Sequence, residues 1–296
     1  MKRVLRWIGF AVTGLVTLVL LAFGVFSLIV RQREAKRWAV TPAQLSIPTD
    51  SASIVRGQHL AVAIAKCTVC HGEDMAGRTF MDELPFARIS SANVTPGGAV
   101  HNWSDADWVR AVRNGVAPDG RGLIFMPSDV YNSLSAEDLG AILAWVRQLP
   151  PVTRPMGPIA FGPIGKMLWS TGQVQFQQAR VIDQGAPFTA APPAGPTPEY
   201  GKYLTVVGAC VICHGPNLAG GLKMGPPGTP PSFNLTPAGL KGWTEADFFR
   251  ALREGTKPDG SGINPFMPWI QTRQMTDDEI RAVWSYLQTI PAVATR

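Results

Sequence analysis

The chain has 296 residues, a formal net charge of +6 and a pI near 9.4. That charge is not spread over it: residues 1–40 hold seven Lys and Arg against one Glu, which leaves 20 basic and 20 acidic side chains over residues 41–296. A nucleic-acid partner is thereby excluded, because its electrostatic footprint would lie on the folded part, and the length accommodates two domains of ordinary size.

From the N-terminus, Trp7 to Val30 runs without a charged side chain. As a helix it is about 36 Å long, enough to cross a bilayer. Lys2, Arg3 and Arg6 precede it, and Arg31, Arg33, Lys36 and Arg37 follow it. A cleaved leader would have a shorter apolar core followed by small residues, whereas a basic patch follows here, so residues 1–38 read as an uncleaved membrane anchor. The flanking cations suit lipid headgroups.

Next comes Cys67-Thr68-Val69-Cys70-His71, which recurs as Cys210-Val211-Ile212-Cys213-His214; the chain has no other cysteine. The pattern reads as covalent attachment of two haem c groups: two thiols add to the vinyl groups, and the adjacent imidazole ligates iron. The thiol-only alternative, zinc or a redox disulfide, leaves both histidines unexplained. With the two motifs superposed, Asn93-Val94-Thr95-Pro96 falls on Asn234-Leu235-Thr236-Pro237. Trp103 to Asp107 falls on Trp243 to Asp247, Pro118-Asp119-Gly120 on Pro258-Asp259-Gly260, and Phe125-Met126-Pro127 on Phe266-Met267-Pro268. The chain is a tandem duplication, with copies at about 51–150 and 197–292.

Each copy reads as a small helical unit. The first helix is predicted over Ile54 to Lys66 in one copy and Glu199 to Ala209 in the other, the latter with Thr197 as N-cap and Pro198 at the first helical position. Middle helices begin at Ser104 and Thr244 with Asp107 and Asp247 completing capping boxes, and last helices at Ser135 and Thr276. Leu139, Ile142, Leu143 and Val146 fall at helical spacing, as do Ile280, Val283, Trp284 and Leu287, and Pro150 and Pro291 close these helices. Between the copies, residues 151–196 form a linker. Pro187 to Pro196 reads as an extended spacer, and Phe161 to Val181 is apolar enough to pack on a lobe.

Of nine methionines, Met126 and Met267 alone share a context, 55 and 53 residues after His71 and His214. Sulfur from methionine is a haem ligand, so these two are expected on the distal side. His59 and His101 superpose on Lys202 and Lys241, which makes a solvated or capping role the better reading and leaves His/Lys ligation as the exception. Pro85 and Pro226 are candidate carbonyl partners for the proximal imidazoles. Trp103 and Trp243 either hydrogen-bond a propionate or simply pack, and N-x-T-P reads as a turn.

The combination of C-x-x-C-H-G, N-x-T-P, W-[ST]-x-A-D, P-D-G and F-M-P resembles class I-type cytochrome c domains in a dihaem arrangement. It is similar to the cytochrome subunits of membrane-bound bacterial alcohol and gluconate dehydrogenases, over about residues 51–292. The expected fold is all-α: the N-terminal transmembrane helix read from the apolar run, followed by two tandem cytochrome c-like helical domains, which the resemblance implies. The resemblance also implies electron transfer rather than catalysis, with protein redox partners such as a dehydrogenase or oxidase. Maturation of such domains occurs outside the bacterial cytoplasm, which places the chain in the inner membrane, single-pass, with its haem domains on the periplasmic side. Two departures stand out: those subunits typically carry three haem motifs, and they are generally not anchored by an N-terminal spanning helix. The alternative is a dihaem redox enzyme of the peroxidase or thiosulfate dehydrogenase type, which needs one open iron.

Overall fold

The computed structural model describes residues 1–225 and 228–295. The apolar N-terminal run lies within helix α1 (Lys2–Ala35), whose large side chains from Val4 to Leu28 are mostly exposed. By length and composition it is the one helix among the described residues able to cross a membrane. Its last turns are not free. Val30 is buried beside Trp169, the Arg33 guanidinium donates to the carbonyls of Trp169 and Ser170, and Lys166 lies over the Phe23 ring.

Each lobe then repeats one plan. In the first, α2 (Ser51–His59) leads into α3 (Cys67–His71), followed by α4 (Asp105–Asn114), the short α5 (Ser128–Tyr131) and α6 (Ala136–Arg147). In the second, α8 (Pro198–Val207), α9 (Cys210–His214), α10 (Glu245–Glu254), α11 (Trp269–Thr272) and α12 (Asp277–Thr289) follow the same order. The anticipated caps form: Thr197 accepts from the Tyr200 N–H, and Ser104 with Asp107 and Thr244 with Asp247 form reciprocal capping boxes. Thr276 and Glu279 close a third box, whereas Ser135 caps alone because the Asp138 carboxylate turns to other partners. Leu139, Ile142, Leu143, Val146, Ile280, Val283 and Leu287 are buried, as their period requires.

The first predicted helix is not continuous. Between α2 and α3 the chain makes a π-turn over Leu60–Ile64, which absorbs one extra residue: ten positions separate Gly57 from Cys67, and nine separate Gly201 from Cys210. The glycines are the true counterparts, since each lets its helix cross the last helix of its lobe. Alignment on the haem motifs therefore slips by one residue before the π-turn, and His59 corresponds to Tyr203, not to Lys202.

That correction exposes an approximate two-fold relation between the lobes. His59 Nε2 lies 2.9 Å from the Glu279 carboxylate, and the Tyr203 hydroxyl donates to Asp138 at 2.7 Å. Both carboxylates occupy the third position of the last helix of the opposite lobe, and both are buried. Arg56 also donates to Asp138. The π-turn packs against α11 as α8 packs against α5, so one apolar core runs through both lobes, from Leu60 and Leu139 to Leu204 and Leu287. Tyr203→Phe removes the hydroxyl that joins Asp138 to the Ser135 N–H. We expect a loss of about 1–2 kcal/mol in urea unfolding, the cost of an unmade hydrogen bond at a buried carboxylate.

The fold is mostly helical, as expected, with one small three-stranded antiparallel sheet added to it. The sheet comprises β1 (Thr79–Glu83), β2 (Ala87–Ser90) and β3 (Ala160–Phe161), in that order. Its third strand comes from the segment between the lobes, which continues as α7 (Pro163–Ser170). Phe161, Trp169 and Phe176 pack with Ala87, Ile89 and Val30 into a second core at the end of α1. Beyond it, the buried Arg113 donates to the carbonyls of Ala186 and Pro187 and lies 4.2 Å from the Phe188 ring, so the Pro-rich stretch is held to the first lobe at its start.

Candidate haem sites

Cys67, Cys70, His71 and Met126 converge on one cleft of about 910 Å³, its open mouth included. Its walls are largely apolar, with Met75, Val94, Leu123, Leu143, Trp103 and Trp108 among the lining residues. In the second lobe Cys210 and Met267 are both half-buried against the shared core, and His214 is buried.

The imidazoles are already oriented. His71 Nδ1 lies 2.8 Å from the Ala92 carbonyl, and His214 Nδ1 lies 2.7 Å from the Phe233 carbonyl. A carbonyl only accepts, so Nδ1 carries the proton in both rings and Nε2 keeps its lone pair. Burial holds both imidazoles below the usual histidine range, which favours the neutral form that binds metal. Pro85 is not the carbonyl partner: its oxygen accepts from the Ile164 N–H and so fixes the start of α7. Pro226 lies outside the described residues.

The carbonyls come instead from the residue just before each N-x-T-P, and that motif is more than a turn. Asn93 Oδ1 accepts from the Thr95 N–H and hydroxyl while its Nδ2 donates to the Val152 carbonyl at 2.7 Å. Asn234 repeats this with Thr236 and Val293, again at 2.7 Å. The asparagine thus pins the carbonyl-bearing segment to the chain leaving the last helix. Behind that segment stand Gly77 and Gly220, both at positive φ, where an added Cβ would come within 2.7 Å of the Ser91 oxygen and 2.5 Å of the Phe233 oxygen. These glycines carry the carbonyl's position, yet the sequence reading passed over them. The signal was present, as Met75-Ala76-Gly77 and Leu218-Ala219-Gly220 stand at the same distance from their histidines.

Burial pushes the Cys67 thiol up to about 12. A redox-active C-x-x-C pair lowers its leading thiol instead. His101 bonds only the nearby Gly98 carbonyl, and His59 is engaged with Glu279. Trp103 packs edge-on against Trp108, 5.2 Å between centroids, and Trp243 packs against Phe233.

The methionine loops differ. In the first lobe Phe125 sits at a φ of 64° and its N–H donates to the Phe176 carbonyl at 2.7 Å. In the second lobe the loop has one more residue, and Asn264 serves in place of the linker. Its side-chain oxygen accepts from the Phe266 N–H and its carbonyl from the Met267 N–H, both at 2.9 Å. Phe125 is accordingly packed among aromatics while Phe266 stays 48% exposed.

This arrangement is that of a c-type cytochrome with two haem domains. Residues 52–146 match the family described as cytochrome c oxidase, cbb3-type, subunit III, and residues 198–291 match the cytochrome c family. Both segments are cytochrome c domains, and the chain carries two covalently bound haem c groups. It is similar to the fructose dehydrogenase cytochrome subunit of Gluconobacter japonicus, 28% identical over 86% of this chain and 55% of that protein. It also resembles the cytochrome c subunit of a quinone-dependent alcohol dehydrogenase from Gluconacetobacter polyoxogenes, 29% identical over 82% of this chain and 57% of that one. A dihaem cytochrome of the c type from Cereibacter sphaeroides is 29% identical over 69% of this chain and 72% of its own length. The chain spans little more than half the length of the first two.

Proposed function

We propose that the chain is a membrane-anchored dihaem cytochrome that passes electrons, one per haem, from a periplasmic dehydrogenase toward a membrane or terminal acceptor. The observation that carries it is the paired site: in both lobes two thiols, one methionine and a neutral imidazole tied at Nδ1 to a carbonyl are built by the same scaffold. Cys67, Cys70, Cys210 and Cys213 would form the thioether bonds. His71 and His214 would ligate iron on one face, and Met126 and Met267 on the other. Bound haem supplies a one-electron couple; the side chains orient it, exclude water and set its potential. With both distal positions taken by sulfur, no open iron remains for substrate, which favours electron relay over a peroxidase or thiosulfate-oxidising activity.

Three features support the placement. The exposed apolar helix α1 suits a single span, its flanking cations suit headgroups, and cytochromes of this class mature outside the cytoplasm. The fructose and alcohol dehydrogenase relatives are named as cytochrome subunits, so a permanent dehydrogenase partner is the reading we favour. Purification in mild detergent should then yield a stoichiometric companion with dehydrogenase activity; a lone cytochrome would leave a shuttle role.

Ligation has its own test. Met126→Ala and Met267→Ala should each abolish the methionine–iron absorption signature of one haem only and lower that haem's midpoint potential, because methionine raises it. Retention of both signatures in either variant would assign the distal ligand elsewhere.

A further inference from the structure

Lys66 opens the first haem motif in a left-handed conformation (φ 55°), a backbone shape shared with its counterpart Ala209 (φ 58°). The two positions do the same backbone work, so the lysine side chain is an addition specific to the first lobe. It is part-buried rather than free in solvent. Its ammonium donates to the Ile64 carbonyl at 2.9 Å and to the Gly208 carbonyl of the second lobe at 2.8 Å. Gly208 stands two residues before Cys210, and Lys66 itself lines the first cleft beside Cys67.

An ammonium drawn partly out of water is costly unless an opposite charge accompanies it. Among the described residues no carboxylate lies within ion-pair distance of Lys66; Asp138 and Glu279, the buried acids of the lobe junction, are taken by Arg56 and His59. Two carbonyl dipoles satisfy its hydrogen bonds without cancelling its charge. What this position gains on reduction is one negative charge at each neighbouring haem site, and a fixed cation stabilises that reduced state.

Resting on the dihaem reading above, we propose that Lys66 is a positioning and tuning residue shared by both sites. Its ammonium ties the two haem-attachment segments together across the lobe junction and raises the reduction potential of both haems at once. A unit charge roughly 10 Å from another, at an effective dielectric near 20, shifts an equilibrium by about tenfold. For a one-electron couple, tenfold is about 59 mV.

The experiment is a spectroelectrochemical titration of the full-length holoprotein in detergent, with haem content checked as two per chain. Lys66→Met removes the charge and keeps the length, Lys66→Gln keeps a donor without charge, and Lys66→Arg keeps the charge. Lys202→Met, at an exposed lysine of the second lobe, controls for charge loss alone. The expected result is that Met and Gln variants lower both midpoints by about tenfold in the reduced-to-oxidised ratio, while the Arg and Lys202 variants stay near wild type. Three outcomes would overturn the proposal: a shift at one haem only, no shift at either, or an Arg variant displaced as far as Met. Failure of both neutral variants to carry two haems while Arg succeeds would overturn the tuning role too, because Lys66 would then serve attachment. Two haems with intact methionine bands in wild type keep the underlying dihaem reading separate from each of these.

Discussion

Gly201→Ala is expected to prevent accumulation of the holoprotein. A Cβ at that position would sit 1.9 Å from the Ala282 carbonyl oxygen and 2.4 Å from its carbon. Those are backbone atoms of α12, so no rotamer change relieves the clash. The helices must separate, and with them the packing of Leu204 against Ile280 and Leu287 in the shared core. Overpacking commonly costs about 1–3 kcal/mol, and a backbone clash at a helix crossing belongs above that range. Gly57→Ala repeats the insult in the first lobe, with 1.8 Å to the Ala141 oxygen. Gly260→Ala is the contrast: its φ is 79° but nothing lies within 4 Å of the added carbon, so it should lose only about 1–2 kcal/mol of left-handed strain. Haem staining of membranes and thermal melts of whatever accumulates would show the order. Wild-type yields and melting for Gly201→Ala would mean that the helices do not meet as described.

These glycines also show what the sequence made readable. Motif order, the capping boxes at Ser104 and Thr244 and the periods of α6 and α12 are local, and each was legible from residue type and spacing. The convergence of His71 and Met126 on one cleft followed from the repeat. The π-turn was not legible, because a one-residue insertion changes no composition; it showed only once Gly57 and Gly201 were seen meeting Ala141 and Ala282. The carbonyl partners of the imidazoles went to the wrong residue for a related reason. Pro85 was chosen by distance along the chain, whereas Ala92 is presented by contacts from Gly77 and Asn93 that join distant segments. The small sheet escaped notice since β3 is two residues long and its partner hairpin lies 70 residues earlier. Arg113 and Lys66 carried no pattern at all: such a cation announces itself only through the carbonyls it gathers.

The second large effect separates the two haem sites. Phe176 is 1% exposed, and its ring lies 4.8 Å from that of Phe161, 5.5 Å from Trp169 and 6.2 Å from Phe125. Phe176→Ala should cost about 3–5 kcal/mol, as large-to-small changes at packed aromatics do. The loss should not be shared equally. Residue 176 also supplies the carbonyl that holds Phe125 at its positive φ, and Phe125 precedes Met126. Loosening that segment frees the first methionine loop, so the first haem should lose its sulfur band at a temperature where the second keeps it. In the second lobe Asn264 closes the loop without help from the linker, so Asn264→Ala should reverse the order and expose the second haem first. Thermal titrations of the two methionine–iron signatures in both variants provide the measurement. If Phe176→Ala destabilises both haems in step, the segment between the lobes acts only through global stability. If the order reverses as described, the linker that supports α1 also holds the loop of Met126, the proposed first distal ligand, and motion at the end of α1 reaches one haem and not the other.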